Sequence, residues 1–103
     1  MGYQGGFLVT SLSGLTVGSK TLDPTFSSGV KSYTVDTDDA TNTVTATAEN
    51  PSDTVEIFLN GVSQESGTGT VSKSLTWTAN TDTVTVEVTH GSATETYTIT
   101  VTH

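Results

Sequence analysis

Val84-Thr85-Val86-Glu87-Val88-Thr89-His90-Gly91-Ser92-Ala93-Thr94-Glu95-Thr96-Tyr97-Thr98-Ile99-Thr100-Val101 alternates apolar and polar residues on both sides of a Gly-Ser pair. Period two on two arms around a turn dipeptide predicts a β-hairpin with one buried face. A two-residue loop at Gly91-Ser92 sets Val84 opposite Ile99, Val86 opposite Tyr97 and Val88 opposite Glu95. The apolar residues of both arms then share a face, and Glu95 falls at its rim. A three-residue loop would put Val86 and Tyr97 on opposite faces, so the alternation itself selects the shorter turn.

The rest of the chain repeats this design with other turns. Upstream, Thr54-Val55-Glu56-Ile57-Phe58-Leu59 runs into Asn60-Gly61, a strong two-residue hairpin signal, because both central positions of a type I′ turn require positive φ. The return arm Val62-Ser63-Gln64-Glu65 is polar, which predicts a short strand, followed by a glycine-rich loop over Ser66–Thr70 and another strand over Val71–Trp77. Asn50-Pro51-Ser52-Asp53 is a turn cluster. Before it, Asn42 to Ala48 alternates, with small inward residues Val44, Ala46 and Ala48 that leave room for a bulky neighbour; Trp77 is the candidate. Tyr33 and Val35 are in phase in Ser32–Asp36, and Asp36-Thr37-Asp38-Asp39 reads as a loop. Leu22-Asp23-Pro24-Thr25-Phe26 is extended, since Pro24 has no N–H and restricts Asp23. Leu12-Ser13-Gly14-Leu15-Thr16-Val17 is a strand with a bulge expected at Gly14. Met1 to Gly6 is glycine-rich and polar apart from Tyr3; it reads as a flexible arm over residues 1–7, ahead of a domain over residues 8–103. It is either a native start or the beginning of a piece cut from a longer chain.

About seven antiparallel strands without useful helical periodicity predict an all-β, immunoglobulin-like Greek-key sandwich. The chain has 103 residues, of which only 32% are hydrophobic. Disorder is not the explanation: threonine fills the outward position of nearly every alternating run, and a β-branched hydroxyl residue suits the wet face of a sheet. The length fits one domain with one core.

The net charge of −8 arises because Lys20, Lys31 and Lys73 are the only basic residues against eleven acids. Nucleic-acid binding needs a basic surface, and an anionic membrane would repel this chain, so neither is an expected partner. There is no cysteine, hence no disulfide and no thiolate metal site. No apolar run has the length of a membrane-spanning helix or a signal-peptide core.

Leu12-Ser13-Gly14-Leu15-Thr16-Val17, Leu22-Asp23-Pro24-Thr25-Phe26-Ser27 with Tyr33-Thr34-Val35, Asn60-Gly61 and Thr96-Tyr97-Thr98-Ile99-Thr100-Val101 together resemble the cadherin-like β-sandwich domain of bacterial and phage proteins. The resemblance covers Leu12 to Val101. It implies an immunoglobulin-like sandwich used for display, spacing and adhesion in surface, secreted and virion proteins, and it brings no catalytic motif. The acidic calcium-binding motifs of true cadherins are not present.

Candidate sites are few. The Asp36–Asp39 carboxylates suit a hard cation in type, but the EF-hand pattern fails, with Asn42 where glycine or an acid belongs and no closing glutamate. Solvated turn acids are the expected reading, unless Asp53 and Asp82 join them in space. His90 and His103 are expected on the surface and without a catalytic partner. Gly67-Thr68-Gly69-Thr70 lacks the lysine and helix of a phosphate-binding loop. Glu56 and Glu87 are out of phase with their apolar neighbours and should face water, which argues against a glycosidase pair. An isopeptide bond from Lys31 or Lys73 is chemically open in such a sandwich. Trp77 is in phase with Leu75 and is expected in the core, whereas Phe58 is the exposed aromatic.

The expected function is a non-catalytic structural or interaction module on a phage virion or bacterial cell surface, with no cofactor. Its partner is a protein in a larger assembly, or the rest of a longer chain. Tyr3 and Phe7 are the candidate anchors of an attachment arm. The alternative is a carbohydrate-binding module of a secreted bacterial protein, with Phe58 as the contact.

Overall fold

The structure is a computed structural model that describes residues 10–103. Eight strands form two sheets: β1 (Leu12–Val17), β2 (Ser32–Asp36), β3 (Thr41–Ala48), β4 (Thr54–Leu59), β5 (Val62–Thr68), β6 (Thr70–Thr76), β7 (Thr81–His90) and β8 (Ala93–Thr102). One sheet has the order β1-β3-β6 and the other β2-β8-β7-β4-β5. Among the described strands, only β4–β5 and β7–β8 are hairpins within one sheet. Every other connection changes sheet, which places β3 beside β6 and β4 beside β7, as a Greek-key sandwich requires. The expectation of an immunoglobulin-like sandwich is met.

The β7–β8 hairpin has the register read from the alternation: Val84 faces Ile99, Val86 faces Tyr97, Val88 faces Glu95 and His90 faces Ala93. Asn60 and Gly61 both take positive φ, 52° and 85°, the backbone of a type I′ turn. In β1 the register shifts between Leu12 and Gly14, where the bulge was expected.

Three details depart from the sequence reading. First, there are eight strands rather than about seven, and β5 runs on to Thr68. The predicted loop over Ser66–Thr70 contracts to Gly69, because Thr54, Val55 and Glu56 of β4 pair with Thr68, Gly67 and Ser66. Satisfying that row of backbone groups outweighs the weak strand propensity of Ser-Gly-Thr. Second, β2 pairs with β8 in parallel, so the sheet is not wholly antiparallel. Third, Trp77 sits at the Asn42 end of β3 and not over Ala46 and Ala48. It follows the Thr41↔Thr76 pair, whereas Ala46 faces Val71, five residues or about 16 Å along the strand. The large side chain at the Ala48 end is Tyr97, whose hydroxyl receives the N–H of Leu12, itself opposite Ala48.

The inner faces enclose one core, with Leu12, Leu15, Val17, Tyr33, Val44, Ile57, Leu75, Trp77, Val86, Tyr97 and Ile99 all buried. Leu22 joins it and Phe26 packs against it. Phe26 stacks on Tyr33 at 5.9 Å and leans on Tyr97 at 6.4 Å.

The two ends of the sandwich follow from the registers. Leu12 lies opposite Ala48, near the Asn50–Asp53 turn and the Gly91-Ser92 tip, while Thr102 lies opposite Thr81 at the far end. The described chain therefore enters at one pole and leaves at the other.

Candidate functional site

No catalytic constellation forms among the described residues; the polar side chains gather instead in two knots, one at each pole, and on the outer face of the larger sheet. The first knot is built on Asn42, an inward-phase residue of β3. Its Oδ1 accepts from the Trp77 indole N–H at 2.9 Å and from the Thr37 hydroxyl at 3.0 Å, and its Nδ2 donates to Asp39 at 3.1 Å. Lys20 pairs with Asp39 at 3.4 Å. The Asn42 amide and the Lys20 ammonium hold the Asp39 carboxyl below its usual value. Beside this knot, Asp82 is enclosed at an inward position of β7. It accepts from Asn60 Nδ2 at 2.8 Å, from the Thr78 N–H and hydroxyl at 3.0 Å each, and from the Ala79 N–H at 3.3 Å. Burial pushes its carboxyl up, but these donors outweigh burial and the net direction is down.

At the opposite pole Asp53 is 1% exposed and meets His90 Nδ1 at 2.5 Å, while the imidazole stays 59% exposed. His90 is on the surface as expected, but it is oriented by a buried carboxylate, which the sequence reading did not foresee. A carboxylate-held imidazole is two parts of a hydrolytic triad. The third part is missing: among the described residues no serine hydroxyl is hydrogen-bonded to that ring. Asp53 Oδ2 is buried without a partner. The knot ties the Asn50–Asp53 turn to the β7–β8 tip, with Gly69 N donating to Asp53 O at 2.9 Å.

On the outer face of the five-stranded sheet, Glu56 and Glu87 stand directly opposite each other. Phe58 follows on the same face, and Glu56, Phe58 and Glu87 are half-buried. Ser63 donates to Glu56 Oε2 at 2.6 Å. The outer face of the three-stranded sheet, by contrast, is uncharged: Thr41, Thr43, Thr45 and Thr47 of β3 lie beside Thr70, Ser72, Ser74 and Thr76 of β6.

Residues 10–103 match the family model of the cadherin-like beta sandwich domain. The chain belongs to that family. No curated protein and no solved structure matches it. Within this cadherin-like sandwich, Asp36–Asp39 is a turn whose last carboxylate is taken by Lys20 and Asn42, and neither Asp53 nor Asp82 joins it. No group of three or more His, Cys, Asp or Glu able to hold a metal ion occurs among the described residues. A depression of about 380 Å³ beside the β1–β2 connection is lined by Ser19, Lys20, Thr21, Asp23, Thr34 and Asp36. Its lysine faces Asp39, and no nucleophile or base lines it with the partners chemistry requires.

Trp77 is 6% exposed and lies in the core, as its phase predicted. Phe58 is on the water side, half-buried rather than open. Gly67–Thr70 is strand and a tight corner rather than a loop. Lys31 is half-buried and bridges to Glu95 at 3.7 Å over the Tyr97 ring. Tyr3 and Phe7 lie outside the described residues, as does the proposed boundary of the arm. No helix of the described residues is long and apolar enough to cross a membrane.

Asn42, Asp53 and Asp82 were missed as structural keys, and a signal for two of them was present. Asn42 and Asp82 occupy inward positions of their strands, in phase with Val44 and with Val84. A polar residue at an inward position must find partners inside.

Proposed function

We propose that this cadherin-like domain is a non-catalytic structural and interaction module, displayed outside the cytoplasm on a virion or a bacterial cell surface. The observation that carries this reading is the path of the chain, in at one pole and out at the other, with eight strands spent on one closed core. That geometry suits a spacer in a longer series or a stalk on a particle. The polar knots serve the fold, tying turns to strands, and this supports a role without chemistry. Attachment through Met1–Gly6, with Tyr3 and Phe7 as anchors, belongs to the same proposal. Deleting residues 1–6 should leave the melting temperature unchanged and abolish incorporation into the parent particle or surface. The carbohydrate-binding alternative has lost Trp77 to the core and keeps Phe58 as its aromatic platform.

The test is localisation. Antibody raised against the folded domain should label intact cells or purified particles of the source without permeabilisation. Labelling found only after lysis, in the soluble cytoplasmic fraction, would contradict the reading, and separating particles from cell envelopes distinguishes its two versions.

A further inference from the structure

The outer face of the five-stranded sheet carries a feature that the fold does not need. Glu56 on β4 and Glu87 on β7 are direct cross-strand partners, so their Cβ atoms are about 5 Å apart. Like charges directly opposite destabilise a sheet, and half-burial weakens the screening by water that would soften the repulsion. Among the described residues no cation is paired with either. The chain has three basic residues: Lys20 pairs with Asp39, Lys31 pairs with Glu95, and Lys73 is on β6 of the other sheet. Ser63 donates to one oxygen of Glu56. Phe58, two residues along the same strand, places an aromatic face about 7 Å away. It lies between Thr85 and Ser63, so short side chains flank the ring on both sides.

We propose that this face docks an arginine-bearing segment of a protein partner, with one guanidinium set between Glu56 and Glu87 and resting against Phe58. The proposal builds on reading the domain as an interaction module. A guanidinium presents N–H forks on more than one side, so it can serve two carboxylates at once, and its flat face stacks on aromatic rings. The net charge of −8 attracts a basic partner over long range and repels a second copy of this chain. A hard cation would meet two carboxylates and a few hydroxyls, short of the six to eight oxygens calcium takes. A neutral sugar would use the ring and leave the opposed charges unexplained.

The experiment is a titration of the ¹⁵N-labelled 103-residue chain with a capped Gly-Arg-Gly-Arg-Gly peptide, and with the same peptide carrying citrulline for arginine. The expected result is a set of amide shifts centred on Glu56, Phe58, Ser63, Thr85 and Glu87, absent with citrulline. Glu56→Gln or Glu87→Gln should weaken binding about tenfold or more and Phe58→Leu several-fold, with Asp38→Asn unchanged. In the free domain Glu87→Gln should raise the melting temperature, because it removes the repulsion. Shifts spread evenly over Asp36–Asp39 and Glu95 and insensitive to Glu87→Gln would overturn the proposal. So would a lowered melting temperature of Glu87→Gln, or binding of a neutral hexasaccharide at Phe58 in place of the peptide. Failure of the peptide to bind a folded domain removes this surface, while the interaction-module reading stands or falls on localisation.

Discussion

Asp82 is fully enclosed and yet releases its proton more readily than a free aspartate, because four donors from Asn60, Thr78 and Ala79 converge on its two oxygens. A folded-state value below the unfolded one makes the carboxylate a stabilising group above its unfolded pKa of about 3.9. That contribution is lost as pH falls through the folded value. Stability measured by urea denaturation should therefore drop below about pH 4, and Asp82→Asn should flatten the drop. At neutral pH the same substitution should cost about 1–3 kcal/mol, since one of the two acceptor oxygens becomes an NH2 group set among hydrogen-bond donors. Tyr97 offers a second test at this scale. Its hydroxyl donates to Ser28 O at 2.7 Å and accepts from Leu12 N at 3.0 Å. Tyr97→Phe should cost about 1–3 kcal/mol through the buried N–H it strands, and Tyr97→Ala or Trp77→Ala about 3–5 kcal/mol through lost packing. A near-neutral Trp77→Ala in chemical denaturation would contradict its place in the core.

Edge strands explain residues that look misplaced in the alternation. Lys73 lies opposite Val44 and Glu65 opposite Ile57, both in the inward phase, yet both are exposed because β6 and β5 are the outer strands of their sheets. An inward-pointing charge on an edge strand blocks another strand from adding there. Lys73→Val should therefore leave the monomer at least as stable while promoting self-association, read by sedimentation velocity over a concentration series; a strictly monomeric variant would contradict this role. On the opposite side, β2 is covered by Asp23, which exchanges both backbone bonds with Thr34. Gly69 at the β5–β6 corner has φ of 80°, and a Cβ there would meet Pro51 O at 3.0 Å. Gly69→Ala should cost about 1–3 kcal/mol by thermal or urea denaturation. The β7–β8 register and the Asn60-Gly61 turn were legible because period two and positive-φ residues are local signals. The length of β5 and the parallel β2–β8 pair were not, since both depend on which strand lies alongside. The Glu56–Glu87 opposition was hidden for the same reason: each glutamate reads as an ordinary outward residue until β4 and β7 are neighbours.

The whole molecule is a rod-like unit whose ends are set by topology. β1 begins where β3 ends, and β8 ends where β7 begins, so the described chain crosses the sandwich lengthwise from Ser11 to His103. Seven residue steps along β3 alone account for about 23 Å. The sequence showed a sandwich of cadherin-like type but not this polarity, which emerges only when sheet order is known. It also suggested hydroxyl-rich sheet faces; both sheets have them, and that of the five-stranded sheet carries Glu56 and Glu87 as well. A spacer or display module requires its ends to be far apart, whereas a domain inserted in a loop requires them close together. Because the chain has no cysteine, spin labels can be placed cleanly at Ser13 and Thr102, both exposed. Double electron–electron resonance between them is the most direct test: the pole-to-pole path predicts one narrow distance distribution centred at about 25–35 Å, and a distribution centred below about 15 Å, less than five strand residues, would contradict it.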